Sequence, residues 1–217
     1  MTGQYNVGDA QSVLASLRKL IPYRQAQFTE SLRIAEQQAA KLLRLTGLDD
    51  TATPNEVITE LPRILVFYRD IPTSGLSYWD GHDWVITINR FEPRTRQRFT
   101  LFHEYKHIID HGRAHLLYRT DEQAEQAADY FAGCALMPRT ALKSAWGQLL
   151  QRPDVLARRF NVSARAVTVR LAQTGLTDRA VRCEPPSRAP RASKPHHGYA
   201  RQQSAAWTPL LKAGAVS

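Results

Sequence analysis

The chain has 217 residues, of which 43% are hydrophobic and 23% charged, a composition that suits one medium-sized domain with appendages. Two cysteines are too few for a disulfide framework, and no apolar run approaches the roughly 20 residues of a membrane span. The formal net charge of +9 can attract polyanions, but it identifies neither a fold nor a binding site.

The two ends of the chain differ from its middle. The stretch from Met1 to Ala10 is polar and has no signal-peptide apolar region, so we expect a cytoplasmic protein. The last 35 residues are rich in Pro, Arg, Ala, Ser and His, and their one acid is Glu184. We therefore predict that residues 183–217 form a disordered basic tail.

The first third of the chain is predicted to be helical. Apolar residues recur at helical spacing between Val13 and Ile21, and a second stripe runs from about Thr29 to Thr46, where Gly47 would end the helix. Residues 53–56, Thr-Pro-Asn-Glu, have the pattern of a capping box with proline at the first helical position. They predict a short third helix.

The hydrophobic period then changes to that of strands. Ile64–Tyr68 is typical of a buried strand, and Gly75–Trp79 and Trp84–Ile88 flank the turn signal Asp80-Gly81, which predicts a hairpin. The sequence therefore predicts an α+β fold. Its main part would be a mostly helical domain with a small three-stranded, largely antiparallel sheet.

Further helices are predicted after the sheet. One runs from near Pro93 to just before Gly112, and the next opens at a second capping box, Thr120–Gln123. Helical periodicity continues over residues 139–150. Over residues 153–176 two short helices flank a turn, which is a helix-turn-helix signature.

The most informative stretch, His103-Glu104-Tyr105-Lys106-His107, fits the pattern H-E-x-x-H. Histidines four residues apart on a helix project from one face and can bind the same metal ion. The glutamate between them can deprotonate a water molecule at that ion. Zinc suits neutral imidazole ligands and keeps a position open for water at catalytic sites. The stretch therefore predicts a catalytic zinc site.

A catalytic zinc site usually has a third protein ligand. His111 would lie about 12 Å from His103 along a straight helix, too far to share the ion. Arg113 stands where a metzincin would have its third histidine. Glu125 on the next helix is our candidate, and Glu122, one turn earlier, is its rival. The alternative is that these acids form only the solvated face of an amphipathic helix.

Other polar residues could support the site without binding the ion. Asp129 follows Glu125 by four residues on the same helix face and could accept the free N–H of a ligating histidine. His111 could orient neighbouring polar groups. An oxyanion stabiliser is also expected, and the candidates are Tyr78, Tyr105, Tyr130 and His111.

The helix-turn-helix signature supports a second hypothesis, a DNA-binding regulator whose metal site is vestigial or senses zinc. Arg165, Thr168, Arg170 and Gln173 could face a DNA groove, and the basic tail could contact phosphates. The same helix has the apolar face that packing in any small helical subdomain requires. We therefore do not favour DNA as the partner.

Three motifs occur together in this chain. Arg98-Phe99-Thr100 precedes the H-E-x-x-H stretch, which His111 follows; Glu125 opens the run E-Q-A-A-D-Y-F-A; and Leu136-Met137-Pro138 comes next. The combination resembles the ImmA/IrrE family of metallopeptidases, which shows R-F-T-x-x-H-E-x-x-H-x-x-x-H, E-x-x-A-[ND]-x-F-A and L-L-M-P. The resemblance covers roughly residues 28–178 and is much more specific than H-E-x-x-H alone.

The resemblance implies a zincin-like fold and a gluzincin-type zinc endopeptidase with His103, His107 and Glu125 as ligands and Glu104 as general base. Members of that family cleave helix-turn-helix transcriptional repressors of mobile elements or stress responses, so the expected partner is such a repressor. The expected segments are an N-terminal helical extension (1–27), a metallopeptidase domain (28–150), a helix-turn-helix-like subdomain (151–182) and the tail (183–217).

Two positions depart from the family pattern. Lys106 stands where the family usually has a small residue such as Gly, and Ala135 stands where it often has Leu. Neither change removes a proposed catalytic group. We expect the long Lys106 side chain to extend into solvent.

Overall fold

The computed structural model describes residues 10–48, 52–148 and 151–177, so the predicted tail lies outside the described residues. The helices are α1 (Ala10–Arg18), α2 (Phe28–Leu45), α3 (Glu56–Thr59), α4 (Arg94–Asp110), α5 (Ala114–Leu117), α6 (Asp121–Leu136), α7 (Arg139–Gln148), α8 (Pro153–Phe160) and α9 (Ala164–Thr174). The strands are β1 (Ile64–Arg69), β2 (Gly75–Trp79) and β3 (Trp84–Asn89). The predicted α+β fold is confirmed. Among the described helices, none combines the length and hydrophobicity that a bilayer crossing requires.

The three-stranded sheet has the order β1-β3-β2. β2 and β3 form the predicted antiparallel hairpin, with Tyr78 opposite Val85. β1 pairs with β3 in parallel, with Val66 opposite Ile86, so the sheet is mixed and the expected antiparallel pairing does not hold for β1. β3 is buried along almost its whole length and takes the central position. It therefore separates β1 from β2, and β1 pairs with β3 rather than extending the hairpin beside β2.

The main core lies between the sheet and the helices. α4 packs against β2 and β3, and α6 packs against both α4 and α2. Cys134 of α6 is buried here, and burial raises the pKa of its thiol to about 12. Cys134 therefore packs as a small apolar residue of the core. Wholly buried side chains of the core include Leu42, Ile86, Ile88, Leu101, Phe102, Phe131 and Leu136.

The N-terminal helix joins this core. Val13 and Leu17 of α1 are buried in it. The Arg18 guanidinium donates hydrogen bonds to the carbonyls of Ile108 and Ile109, at 2.8 and 3.2 Å. Arg18 thereby adds a partner to two carbonyl groups in the last turn of α4, of which that of Ile108 also accepts from the His111 N–H at 3.4 Å.

The predicted helix-turn-helix segment also belongs to the core. Asn161 turns the chain between α8 and α9 with a φ of 51°, and the Ser163 hydroxyl caps α9 by accepting from the Ala166 N–H at 3.1 Å. Phe160 and Val167 are buried in the main core cluster. The helix pair therefore packs through its apolar face, and the boundaries at residues 27, 150 and 182 stay predictions.

Arg170 is turned inward rather than toward solvent. Its guanidinium donates to the Met137 carbonyl at 3.3 Å and pairs with Glu36 at 3.4 Å. The prediction that Arg170 faces a DNA groove is therefore wrong. Arg170 is three residues after Val167, a helical spacing that places it on the buried face of α9.

The predicted capping box at residues 53–56 is also wrong. The Thr53 hydroxyl instead donates to the Ala135 carbonyl at 2.6 Å, and α3 begins only at Glu56. The Asn55 side chain accepts a hydrogen bond from Arg98 at 2.8 Å. Tertiary contacts have taken the polar groups that a capping box would have used.

Candidate metal centre

α4 carries the H-E-x-x-H stretch through the middle of the domain. Its inner faces bury Phe102, Tyr105 and Ile109, whereas His103 and His107 share the partly exposed face that looks toward α6. The four-residue spacing sets this division, since side chains at i and i+4 lie above one another on a helix. The two imidazoles therefore approach one another, with ring centroids 4.9 Å apart.

The three predicted ligands converge on one point. Nε2 of His103 and Nε2 of His107 are 3.1 Å apart. The Glu125 carboxylate oxygens lie 3.5 Å from the first nitrogen and 3.4 Å from the second. In a tetrahedral zinc site with ligand bonds of about 2.0–2.2 Å, neighbouring ligand atoms are about 3.3–3.5 Å apart. The three side chains therefore already have the spacing of metal ligands, and together they can hold a metal ion.

The third predicted ligand, Glu125, lies on α6. The Thr120 hydroxyl caps this helix by accepting from the Gln123 N–H at 3.3 Å. Ala127 and Ala128 are wholly buried, and small residues of this kind let α6 approach its neighbours closely. Glu125 therefore reaches both histidines.

Glu122 does not join the cluster. It is exposed in the first turn of α6, where the local backbone and the Thr120 side chain lower the pKa of its carboxyl. Glu125 is the acid that lies next to the two histidines. The structure thus favours Glu125 over Glu122 as third ligand.

The charges of the cluster favour a cation. Burial alone would lower the pKa of His103, but its hydrogen bonds to Asp129 and Glu125 outweigh burial and raise the pKa to about 9. Hydrogen bonds from His103 and His107 hold the pKa of Glu125 well below its usual range. The carboxylates of Asp129 and Glu125 therefore stabilise positive charge at His103, whether a proton or a metal ion carries it.

Asp129 and His111 were both expected to support the ligands. In the structure Asp129 contacts a predicted ligand, whereas His111 packs against Trp84. Asp129 Oδ1 accepts a hydrogen bond from Nδ1 of His103 at 2.8 Å, which leaves Nε2 of His103 free to bind a metal ion. His111 instead packs edge-on against Trp84, with ring centroids 4.8 Å apart. Burial and the nearby Arg18 lower its pKa. Among the described residues, the His111 ring packs against Trp84 and not against the predicted ligands.

Glu104 lies beside the cluster and under the edge strand β2. Its Oε2 accepts a hydrogen bond from the Ser77 hydroxyl at 2.8 Å. A Cβ at Gly75 would lie 2.4 Å from the Thr100 methyl carbon and 3.2 Å from Glu104 Oε1, so β2 can approach α4 this closely only with glycine there. Sequence reasoning did not identify Ser77 or the reason for Gly75. The signal that could have identified them is a pair of small residues at alternate positions of a predicted edge strand.

The Lys106 side chain does not extend into solvent, and that prediction is wrong. Lys106 is 0% exposed, and its Nζ lies 2.5 Å from both carboxylate oxygens of Asp110. Nζ also donates to the Tyr118 hydroxyl at 3.1 Å, and that hydroxyl donates to Asp110 at 2.7 Å. Burial lowers the pKa of Lys106, while Asp110 opposes this shift. Because Asp110 lies one helical turn after Lys106 and pairs with its cation, the Lys106 side chain can be buried.

Each of the four candidates for an oxyanion stabiliser makes its contacts elsewhere or faces away from the helix that carries the two histidines. Tyr105 is buried against Phe131, and burial raises the pKa of its hydroxyl. The Tyr130 hydroxyl donates to Glu36 at 3.2 Å. Tyr78 is next to Ser77 on β2, and successive strand residues point to opposite faces, so Tyr78 faces away from α4. The fourth, His111, packs on Trp84 as described above.

Comparisons with known proteins agree with this architecture. A family model described as the IrrE N-terminal-like domain, Peptidase M78, matches residues 60–172, which is about half of the chain. A solved structure of a Mycobacterium tuberculosis transcriptional regulator is similar, with a TM-score of 0.51 and 19% sequence identity. The similarity covers 74% of this chain and 51% of the other, so this chain spans about half the length of that protein. At this identity the similarity shows the fold. No curated protein gives a significant match.

Proposed function

This chain belongs to the IrrE N-terminal-like domain family, Peptidase M78, and we propose that it is a zinc-dependent endopeptidase that cleaves a protein substrate. The observation that supports this most is the triangle of His103, His107 and Glu125 ligand atoms, with the Glu104 carboxylate beside it. A buried carboxylate next to three candidate metal ligands is an arrangement that supports metal-assisted hydrolysis of a peptide bond.

Zinc is the proposed ion because two imidazoles and one carboxylate form the ligand set of several catalytic zinc sites. Bound zinc would supply Lewis-acid polarisation of the scissile carbonyl and would make a water molecule easier to deprotonate. His103, His107 and Glu125 would hold the ion. Asp129 would keep His103 in the tautomer whose Nε2 is the ligand.

Glu104 is the proposed general base and general acid. The Ser77 hydroxyl donates to its Oε2 and so orients the carboxylate that would take the proton from the attacking water. The same carboxylate would then return the proton to the leaving amine. Because Glu104 is buried under β2, the carboxylate has little freedom to turn away from the reacting atoms.

For the substrate, we propose a helix-turn-helix transcriptional repressor of a mobile element or a stress response. The support is the resemblance of residues 98–107, 125–132 and 136–138 to the ImmA/IrrE motifs, whose family members act on such repressors.

The alternative is a DNA-binding regulator with a vestigial or zinc-sensing metal site. Arg165 and Gln173 of α9 are exposed, which is compatible with DNA binding. Arg170 is buried and donates to the Met137 carbonyl, so it is not available to DNA. The complete set of ligands with an adjacent buried Glu104 also exceeds what zinc sensing needs. We therefore rank the endopeptidase first.

The test is the variant Glu104→Gln in the zinc-loaded protein, incubated with the helix-turn-helix repressors encoded beside its gene. We expect wild-type protein to cleave one of them and the variant not to, while both bind one zinc ion per chain. Equal cleavage by the variant would exclude Glu104 as the base. Full zinc occupancy without cleavage by wild-type protein would favour the regulator.

A further inference from the structure

The sheet has an aromatic and basic surface at the ends of β1 and β3, none of whose residues belongs to the metal cluster. The Arg69 guanidinium lies over the Phe67 ring, with 5.0 Å between its central carbon and the ring centroid. The Arg90 guanidinium lies over the Phe91 ring in the same way, at 4.7 Å. The Arg90 N–H donates to the Arg69 carbonyl at 2.9 Å, which joins the two pairs. We call these four residues the arginine–phenylalanine patch.

The rings of this patch are exposed to solvent. Phe67 is 37% exposed and Phe91 is 68% exposed, and the adjacent Tyr68 is exposed as well. A shallow hollow of about 450 Å³ is lined by Phe67, Tyr68, Arg69, Asp70 and Arg90. Exposed aromatic groups around a hollow commonly mark a binding surface.

The exposure of Phe91 is built into the fold. The Gln97 side-chain amide donates hydrogen bonds to the carbonyls of Asn89, Arg90 and Glu92, at 3.2, 2.9 and 2.9 Å. The Phe91 N–H donates to Asn89 Oδ1 at 3.0 Å. The backbone that carries Phe91 is thus held by side-chain hydrogen bonds, which reduces what a ligand would have to order on binding.

The charges of the patch suit an anionic ligand. Neither Arg69 nor Arg90 forms an ion pair within the part of the chain that the structure describes, whereas the nearby Arg96 pairs with Glu92 at 3.8 Å. The guanidinium N–H groups of a stacked arginine remain free at its edge for phosphate oxygens. Asp70 is the acid that lines the hollow, and it can accept from the exocyclic amino group of a base.

We propose that the arginine–phenylalanine patch binds single-stranded nucleic acid. Unpaired bases would stack on Phe67 and Phe91 and on their guanidinium planes, and Arg69 and Arg90 would contact the backbone phosphates. A duplex keeps its bases stacked on one another, so it cannot offer their faces to these rings. This binding does not depend on the proposed peptidase function, because neither the metal ligands nor Glu104 takes part.

The test is fluorescence anisotropy of a labelled 20-nucleotide single strand of mixed, non-self-complementary sequence, titrated with the full chain at several salt concentrations. We expect Phe67→Leu/Phe91→Leu to weaken binding at least about tenfold, since each stacked base contributes substantially to affinity. Arg69→Gln and Arg90→Gln should each reduce the slope of log K against log salt by about 0.7. An unlabelled duplex of equal length should compete at least about tenfold less well than the single strand.

Two variants control for general effects of charge and aromatic loss. Tyr23→Leu removes another exposed ring that an arginine, Arg113, covers at 5.5 Å, and Arg44→Gln removes one exposed charge from α2. The first should leave the affinity unchanged, and the second should change it less than Arg69→Gln does. Unchanged binding by Phe67→Leu/Phe91→Leu, or equal competition by duplex, would overturn the proposal. Circular dichroism should show that the leucine variants remain folded.

Discussion

The Ser77 hydroxyl donates a hydrogen bond to Glu104 Oε2 at 2.8 Å, so an edge strand of the sheet orients the proposed general base. Ser77 is on β2, and Glu104 is on α4 between the two histidines. Because Gly75 lies two residues before Ser77 and has no side chain, the strand comes close enough for this contact. The sheet therefore takes part in the site without supplying a metal ligand.

We expect Ser77→Ala to lower kcat about tenfold while leaving the zinc content unchanged, because the charged carboxylate loses a hydrogen bond that fixes its orientation. Steady-state cleavage of the repressor, together with zinc analysis, measures both quantities. Ser77→Thr keeps the hydroxyl and should retain most of the activity. A large loss of zinc in Ser77→Ala would show instead that Ser77 supports the ligands.

The choice between Glu125 and Glu122 gives a matched pair of variants on one helix. Glu125→Ala should lose zinc, because two histidines alone make an incomplete site. Glu122→Ala should keep one zinc ion per chain, since its carboxylate lies outside the cluster. Zinc stoichiometry after dialysis decides the matter, and the reverse result would assign the third ligand to Glu122.

Asp129 should affect zinc affinity without being a ligand. We expect Asp129→Ala to weaken zinc binding about 10- to 100-fold, because the His103 ring loses the partner of its Nδ1. Asp129→Asn keeps an acceptor oxygen and should fall between wild type and the alanine variant. Competition with a chelating dye gives the affinities. Asp121→Ala, another exposed acid of α6, is the control and should bind zinc normally.

The buried Lys106–Asp110 pair should make a large difference to stability when only one partner is removed. Lys106→Met leaves the buried Asp110 charge without its cation and should lower the free energy of unfolding by about 3–5 kcal/mol. Urea unfolding with excess chelator measures this without a contribution from bound zinc.

The double variant Lys106→Met/Asp110→Asn tests the cause of that loss. Because it removes both charges and keeps the buried volume similar, it should recover most of the lost stability. If the double variant were as unstable as Lys106→Met, packing rather than the unpaired carboxylate would explain the effect.

Local patterns in the sequence were sufficient for much of this protein. The spacing of His103 and His107 predicted their common face, and the Thr120 cap lies where the sequence placed it. The hairpin of β2 and β3 followed from Asp80-Gly81. These features depend on residues only a few positions apart, so helix and strand geometry alone determines them.

Features that join distant segments required the tertiary structure. The inward orientation of Lys106 depends on Asp110 and Tyr118, and the burial of Arg170 depends on Met137 and Glu36. Long polar side chains are predicted to be exposed unless a buried partner is known, and sequence spacing does not reveal a partner from another element.

The sequence by itself determined that two imidazoles and a glutamate share one helix, and it offered Glu125 and Glu122 as the acids that could join them. Only the tertiary structure decided that Glu125, rather than Glu122, reaches them, that Ser77 holds Glu104, and that β1 runs parallel to β3. The difference has a physical reason. A helix fixes the relative positions of its own side chains, whereas the packing of whole helices and strands fixes distances between elements.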